Sequence, residues 1–309
     1  MSLKFVQTLL ILALTNTSRA QRPWEKNITS VICSETIDFS NHNVIHVAKD
    51  AFQSCLSVKK IILDNNYLKT LHVDTFRGLT ELEWLSIDRN RLETLPEEIF
   101  KDLTNLKYLN LWNNKLTSLE PLVFRGLQKL EKLTIGVNEL NEFPEGLLKD
   151  LSSLRTFYAN SNNIQRLSDT TFSGLSQLKE IGMEGNGIVY LSADLFIGLD
   201  SLKSISFWSN EIMNVDAAAL VRHVPGLWEF YLVNFRMRCD RFRKVQNIFR
   251  EANVEVDILI PEARRRRDTE HGLICLENDR FEKMFRERVE SGLISQEEAD
   301  KIIALNDEV

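Results

Sequence analysis

Leu82-Glu83-Trp84-Leu85-Ser86-Ile87-Asp88-Arg89-Asn90 and Leu106-Lys107-Tyr108-Leu109-Asn110-Leu111-Trp112-Asn113-Asn114 decide the fold of this 309-residue chain. In both, apolar residues stand three, five and eight places before a final Asn. That Asn recurs as Asn66, Asn90, Asn114, Asn138, Asn162, Asn186 and Asn210, an unbroken interval of 24. Apolar residues follow two and five places on (Leu92, Leu95), then ten and thirteen on (Phe100, Leu103). A fixed period in the twenties signifies a solenoid, whose units bury their apolar edges only against one another.

Elementary geometry explains the spacing. Leu85 and Ile87 alternate, so they share one face of a short strand. The Asn turns the chain, with an acceptor oxygen and two donor hydrogens for backbone groups that the turn leaves open. Stacked from repeat to repeat, these side chains make a buried polar ladder. Phe76, Phe100, Phe124, Phe172 and Phe196 stack as a second spine under the convex side. Leu148 and Leu220 replace Phe in two repeats, and looser packing is expected there.

The pattern LxxLxLxxNxLxxLxxxxFxxLxx resembles the 24-residue leucine-rich repeat of extracellular proteins, over residues 34 to 235. The resemblance implies an α/β solenoid: a leucine-rich repeat horseshoe with a parallel concave sheet, disulfide-braced N- and C-terminal caps and a helical C-terminal tail. Similar proteins include Toll-type receptor ectodomains and secreted insect immune proteins. The resemblance implies binding, not a particular partner.

The chain divides into residues 1–20 as a signal peptide, 21–57 as an N-terminal cap with a degenerate repeat, 58–235 as leucine-rich repeats, 236–276 as a C-terminal cap and 277–309 as a helical tail. Lys4, the apolar run Phe5 to Leu14 and Ser18-Arg19-Ala20 predict cleavage before Gln21. An uncleaved anchor is the alternative, but the run is short for a membrane span. No later stretch is apolar enough to span, so a secreted, extracellular chain is expected. Asn27-Ile28-Thr29 makes Asn27 a glycosylation acceptor, behind a short polar lead-in. In the degenerate repeat His42 takes the ladder position. Leu227 opens an eighth repeat one residue late, after a slip between Val221 and Gly226.

Four cysteines, Cys33, Cys55, Cys239 and Cys275, admit three connectivities. Local pairing, Cys33–Cys55 and Cys239–Cys275, is favoured because a solenoid holds its ends far apart. A zinc site competes, but no CxxC pair occurs and the route is oxidising. The family's C-terminal cap reads CxC, and Arg241 stands at its second Cys, so one cap disulfide must be missing. Phe242, Val245, Ile248 and Phe249 predict a helix over the last repeat, and Val254 to Ile258 alternates as a strand. Arg264 to Arg267 reads as a solvated loop or as a basic processing site. Phe281, Met284, Phe285 and Val289 stripe one amphipathic helix; Ser295 and Glu298 form a capping box opening a second. These helices either pack on their own protein or join a partner chain.

A net charge of −6 argues against nucleic-acid binding. No HExxH, GxSxG or P-loop occurs, so no catalytic residue, cofactor or metal is expected and the chain reads as non-enzymatic. The outward strand positions carry Trp84, Ser86 and Asp88, then Tyr108, Asn110 and Trp112, then Tyr158, Asn160, Ser206, Trp208 and Tyr231, with Trp228 at a strand edge. Aromatics of this kind favour binding hot spots; the alternative is that they suit exposed strand surface. They fall into two groups, Trp84/Tyr108/Trp112 and Trp208/Trp228/Tyr231, flanking small residues such as Thr134, Gly136 and Gly182. Asp64 and Asp88 share a column; they read as solvated surface, the alternative being a site that holds a cation or a basic side chain. The leading reading is a secreted recognition protein that binds a protein or glycoprotein through the concave face, in immunity, adhesion or signalling. The rival is a structural subunit whose C-terminal helices make a homo- or hetero-oligomer.

Overall fold

The computed structural model describes residues 14–15, 25–232, 237–256 and 278–307. Met1–Tyr158 and Ala159–Val309 form two compact units. The first unit contains β1 (Leu14–Thr15), β2 (Lys26–Ile28), β3 (Thr36–Asp38), β4 (Val44–Val47), β5 (Lys60–Ile62), β6 (Trp84–Ser86), β7 (Tyr108–Asn110), β8 (Lys132–Thr134) and β9 (Thr156–Tyr158). β3 and β5 to β9 pair in parallel, each residue opposite its counterpart 24 positions away, as in Ile37↔Ile61 and Leu85↔Leu109. The middle residue of each of these strands points inward and is buried: Ile61, Leu85, Leu109, Leu133 and Phe157 are fully covered.

Asn90 shows how the ladder works. Its Nδ2 donates to the carbonyls of Leu63 (2.9 Å), Ile87 (3.3 Å) and Asp88 (3.2 Å), and its Oδ1 accepts the Leu68 N–H at 3.0 Å. The bonds to Ile87 and Asp88 close its own turn; those to Leu63 and Leu68 clamp that turn to the preceding repeat. Asn114 repeats the set with Ile87, Leu92, Leu111 and Trp112. The residue before each ladder Asn is left-handed, with φ of 54° at Asn65, 50° at Arg89, 53° at Asn113 and 53° at Val137. Such a conformation persists where surrounding bonds over-determine it.

On the opposite side, Phe52, Phe76, Phe100 and Phe124 stack at 6.1, 6.1 and 6.4 Å, with planes within 21° of parallel. Leu148 at 2% exposure is as buried as the rings it follows. The substitution therefore ends the ring stack without opening the position to water.

The N-terminal end departs from expectation in one respect. Cys33 and Cys55 are bonded, as local pairing requires. The polar lead-in, however, supplies β2, parallel to β4, and buries Ile28 completely. His42 contributes its backbone, whose N–H donates to Asn66 Oδ1 at 3.1 Å, so the side-chain ladder begins at Asn66. β1 pairs antiparallel with β2, Thr15 facing Asn27. Asn27 is 8% exposed, which leaves a glycan little access; cleavage before Gln21 would take β1 away from that edge.

The second unit contains β10 (Glu180–Gly182), β11 (Ser204–Ser206) and β12 (Glu229–Tyr231), again parallel and in register. α1 (Ala217–His223) follows the seventh ladder Asn and absorbs the one-residue slip, its N-terminus capped by Asp216, which accepts the Ala219 N–H at 2.8 Å. α2 (Cys239–Glu251) is the expected cap helix: Phe242, Val245 and Phe249 are buried, and the Phe249 ring lies 5.1 Å from Phe230. The expected strand at 254–258 reduces to a bridge in its described part. Glu255 accepts from Phe230 N–H at 2.9 Å and donates to the Trp228 carbonyl at 2.7 Å, covering the open edge of β12. Asp257, Ile258, Arg264 to Arg267 and Cys275 lie outside the described residues, and with them the Cys239–Cys275 pairing and the processing site.

α3 (Asn278–Glu290) and α4 (Gln296–Asp307) pack on their own chain. Phe281, Ile294, Ala299 and Ile302 are buried with Val189 and Met213, and Met284, Phe285 and Val289 pack around them. The capping box is reciprocal: Ser295 N–H donates to Glu298 at 2.7 Å and Glu298 N–H to Ser295 Oγ at 3.2 Å. Arg166 reaches Gly292 and Glu298, and Arg288 pairs with Glu211. Arg241, standing where the family has Cys, is buried and donates to Asn214 Oδ1 at 3.3 Å; Asn214 in turn donates to the Ile302 carbonyl. The anchor residues Arg166, Val189, Glu211, Met213 and Asn214 all follow a ladder Asn by one to four places. The helices thus seat on the flank beyond the turns, not on strand positions.

Replacing Asn114 by Ala would strand the buried Leu92 N–H and take one donor from the carbonyls of Ile87, Leu111 and Trp112, each of which keeps another. The unfolding free energy in urea, followed by circular dichroism, is expected to fall by about 1–3 kcal/mol, the usual consequence of stranding buried polar groups.

Candidate recognition face

Because β5 to β9 pair in register, outward side chains of the first unit stack in columns spaced by about 4.8 Å. The leading column reads Lys60, Trp84, Tyr108, Lys132. The Trp84 and Tyr108 rings lie face to face, with centroids 3.6 Å apart and planes at 13°. Lys60 Nζ sits 4.6 Å over the Trp84 ring, and Lys132 Nζ lies 5.1 Å from the Tyr158 ring. Trp84 keeps 37% of its surface in solvent. Trp84 and Tyr108, the neighbouring lysines, and Glu83 and Glu131 bound an open hollow of about 440 Å³.

The next column is a hydrogen-bonded floor. Thr134 Oγ1 donates to Asn110 Oδ1 at 2.6 Å, and Asn110 Nδ2 donates to Ser86 Oγ at 3.1 Å. Burial, and to a lesser degree the Asp64 and Asp88 charges, push the Tyr108 phenol up, so it stays a neutral donor at physiological pH. Each rotamer under the aromatic pair is therefore held by a named bond, which lowers the ordering cost of binding.

The third column corrects an expectation. Asp64 and Asp88 do not form a solvated acidic strip: Ser86 and Asp88 are buried, Asp88 with 9% exposure. Asp64 Oδ1 accepts the Asp88 N–H at 2.8 Å, and the Asp88 carboxylate meets Arg89 at 3.1 Å. Asp88 Oδ1 is buried without a hydrogen-bond partner. Desolvation is the main cause that raises both carboxyls, and Arg89 opposes it at both. Among the described residues no cluster of metal-ligating side chains forms.

At the strand entrances charges alternate: Glu35 pairs with Lys59 at 3.2 Å, Lys107 with Glu83 at 2.7 Å and Arg155 with Glu131 at 3.7 Å. These exposed pairs add little stability, but they neutralise one another. Lys60 and Lys132 have no such ion pair among the described residues. Sequence reading singled out Trp84 and Tyr108 but passed over these two lysines. The signal was available, since all four are the second residue after a repeat's opening apolar position.

Of the other aromatics, Trp112 and Tyr158 are half-buried on the same unit. In the second unit the expected trio does not form one ledge. Trp208 (45% exposed) stands two residues beyond β11, whereas Trp228 (65% exposed) stands just before β12, at the opposite strand end from Tyr231.

The raised carboxyls fix the sign of a pH effect. Their folded-state pKa values exceed the unfolded ones, so their stabilising contribution is present below the unfolded value and lost as pH rises through the folded value. Asp88→Asn is expected to raise the melting temperature at neutral pH, with the gain over the parent lost as pH falls through the raised folded value to the unfolded value of about 4, and no further change below it. A gain that stays constant across that titration would contradict the assignment.

The geometry is matched by comparison with known proteins. The leucine rich repeat family model matches residues 35–92, 80–140 and 128–188. No match was found among curated proteins. Among solved structures, TLR13 in complex with ssRNA13 superposes with a TM-score of 0.64 at 21% identity, covering 72% of this chain and 32% of that one. Toll in the Drosophila Toll–Spatzle complex gives 0.61 at 21%, covering 76% and 33%. A leucine-rich repeat protein of Leptospira interrogans gives 0.60 at 23%, covering 72% and 60%. The chain spans about a third of the length of the two Toll-type matches, and at these identities the likeness speaks for the fold. Repeated turns clamped by an Asn ladder, and three overlapping family matches along them, make this chain a leucine-rich repeat protein built like the Toll-type ectodomains.

Proposed function

We propose that this protein is a secreted, non-enzymatic recognition protein that binds a protein or glycoprotein through the strand face of its first unit. The observation that carries the reading is the Trp84–Tyr108 stack, left facing solvent on a floor that hydrogen bonds already fix. A rigid, amphipathic aromatic pair gives contact area at small entropic cost, which is why Trp and Tyr dominate hot spots. Two of the similar folds were solved as complexes, one with RNA and one with the protein Spatzle. A protein ligand is favoured here by the net charge of −6 and by carboxylates interleaved with the lysines. The Cys33–Cys55 bond and the N-terminal apolar run support an extracellular route. Among the described residues, no helix is long and apolar enough to cross a membrane.

The rival role, assembly through the C-terminal helices, has less support because their apolar stripes are already committed to Val189 and Met213. Ile303, 45% exposed, is a single side chain rather than a face.

The test is capture of the extracellular partner on immobilised protein, its identification, and affinity measurement with two variants. Trp84→Ala is expected to weaken binding about tenfold or more. Ile197→Ala, removing a side chain that is 56% exposed after the turn Ala193–Phe196, is expected to leave it unchanged. Equal affinity for the Trp84 variant and the parent would remove the proposal.

A further inference from the structure

We infer that the ledge on the first unit selects an extended acidic segment of its partner, with two carboxylates bracketing an apolar residue. The inference rests on the strand face being the protein-binding surface, and it adds the chemistry of what binds.

Most charges beside the ledge are already spent. Lys59 and Lys107 are neutralised by Glu35 and Glu83, and Arg155 by Glu131. Lys60 and Lys132 are the half-buried ammonium groups of this ledge that have aromatic rings beside them and no carboxylate. An ammonium over an aromatic face is partly desolvated, so an anion brought to it displaces less water than at an open lysine. Between the two lysines in the same column stand Trp84 and Tyr108, stacked and without charge. The ledge therefore reads cation, aromatic, aromatic, cation.

The spacing then fixes the ligand. Lys60 and Lys132 are three strand steps apart, about 14 Å at 4.8 Å per step. An extended chain advances about 3.3–3.4 Å per residue, so residues roughly four apart span the same distance. The matching segment has Asp or Glu at both ends and an apolar side chain midway, against the solvent-facing edges of the stacked Trp84 and Tyr108 rings. It lies across the strands.

A uniformly anionic chain, such as a sulfated glycan, fits worse. Its charges would recur between the lysines, over the uncharged Trp84–Tyr108 pair, and then meet Asp64 and Asp88 beyond the floor. Alternating sign on the protein asks for discrete charges on the ligand.

The experiment uses the full chain and defined probes. One peptide carries two Asp four residues apart with Leu midway and Ser between; a second has both Asp replaced by Asn; a third has the two Asp adjacent. A heparin-derived hexasaccharide is the fourth probe. Binding is read by titration calorimetry and by quenching of Trp fluorescence. The first peptide is expected to bind about five- to tenfold more tightly than the second and third, as two weak surface ion pairs allow. The preference should fade as salt rises. Lys60→Gln with Lys132→Gln should abolish the preference while leaving the circular dichroism spectrum unchanged. Equal binding of the Asp and Asn peptides, or binding of the hexasaccharide in preference to the first peptide, would overturn the inference. A natural partner that still depends on Trp84 would show that the face binds protein and that its selectivity alone was misassigned.

Discussion

The ladder asparagine is the interaction on which the rest depends. Each carboxamide serves two repeats at once: bonds from Nδ2 close its own turn, and further bonds from Nδ2 and Oδ1 reach the backbone of the repeat before. A turn is therefore never stable alone. It exists because its neighbour supplies partners for groups that would otherwise be buried and unpaired. The same bonds hold the residue ahead of each Asn left-handed. Val137 at φ 53° is a β-branched residue in a conformation that disfavours it by about 1–2 kcal/mol, so the clamp overrides local preference.

From that clamp follows the register, and from the register the columns of the proposed recognition face. Strands held at equal turns must pair residue for residue, so every 24-residue position becomes a column. Inward columns of Leu, Ile and Phe are consumed by the core, and the phenylalanine spine fills the far side. The C-terminal helices use the flank beyond the turns. The outward strand positions keep freedom of use, and in the first unit they place two rings face to face over a bonded floor. Function here is what remains after the stacking has claimed its residues.

Much of this was legible in the chain because period and chemistry coincide. The Asn ladder, the Phe76–Phe124 part of the Phe spine, the Ser295–Glu298 capping box and the helix at Phe242–Phe249 each needed only residue type and spacing, and the Cys33–Cys55 bond followed from the solenoid they imply. What was not legible depended on neighbours outside the local window. β2 forms from a polar lead-in because β4 offers it an edge. Asp88 stands at an outward position, yet Arg89 and the adjacent turn enclose it. Arg241 replaces a cysteine of the family pattern and is kept buried by Asn214, a partner 27 residues away. Trp208 and Trp228 looked like neighbours in sequence, but opposite strand ends separate them. The left-handed residues ahead of the ladder asparagines carried no common signal either, since Gly185 is the one glycine among those seven.

The proposed role requires the Trp84–Tyr108 ledge to be open in the free protein and covered in the complex. Hydroxyl-radical footprinting of the protein, alone and with its partner bound, reads both states. Trp84 and Tyr108 should be oxidised in the free chain and protected in the complex, while Phe100 and Phe124 resist in both and Leu56 and Ile197 react in both. Ledge residues that resist oxidation before any partner is added, or protection that falls on Leu56 and Ile197 instead, would contradict it.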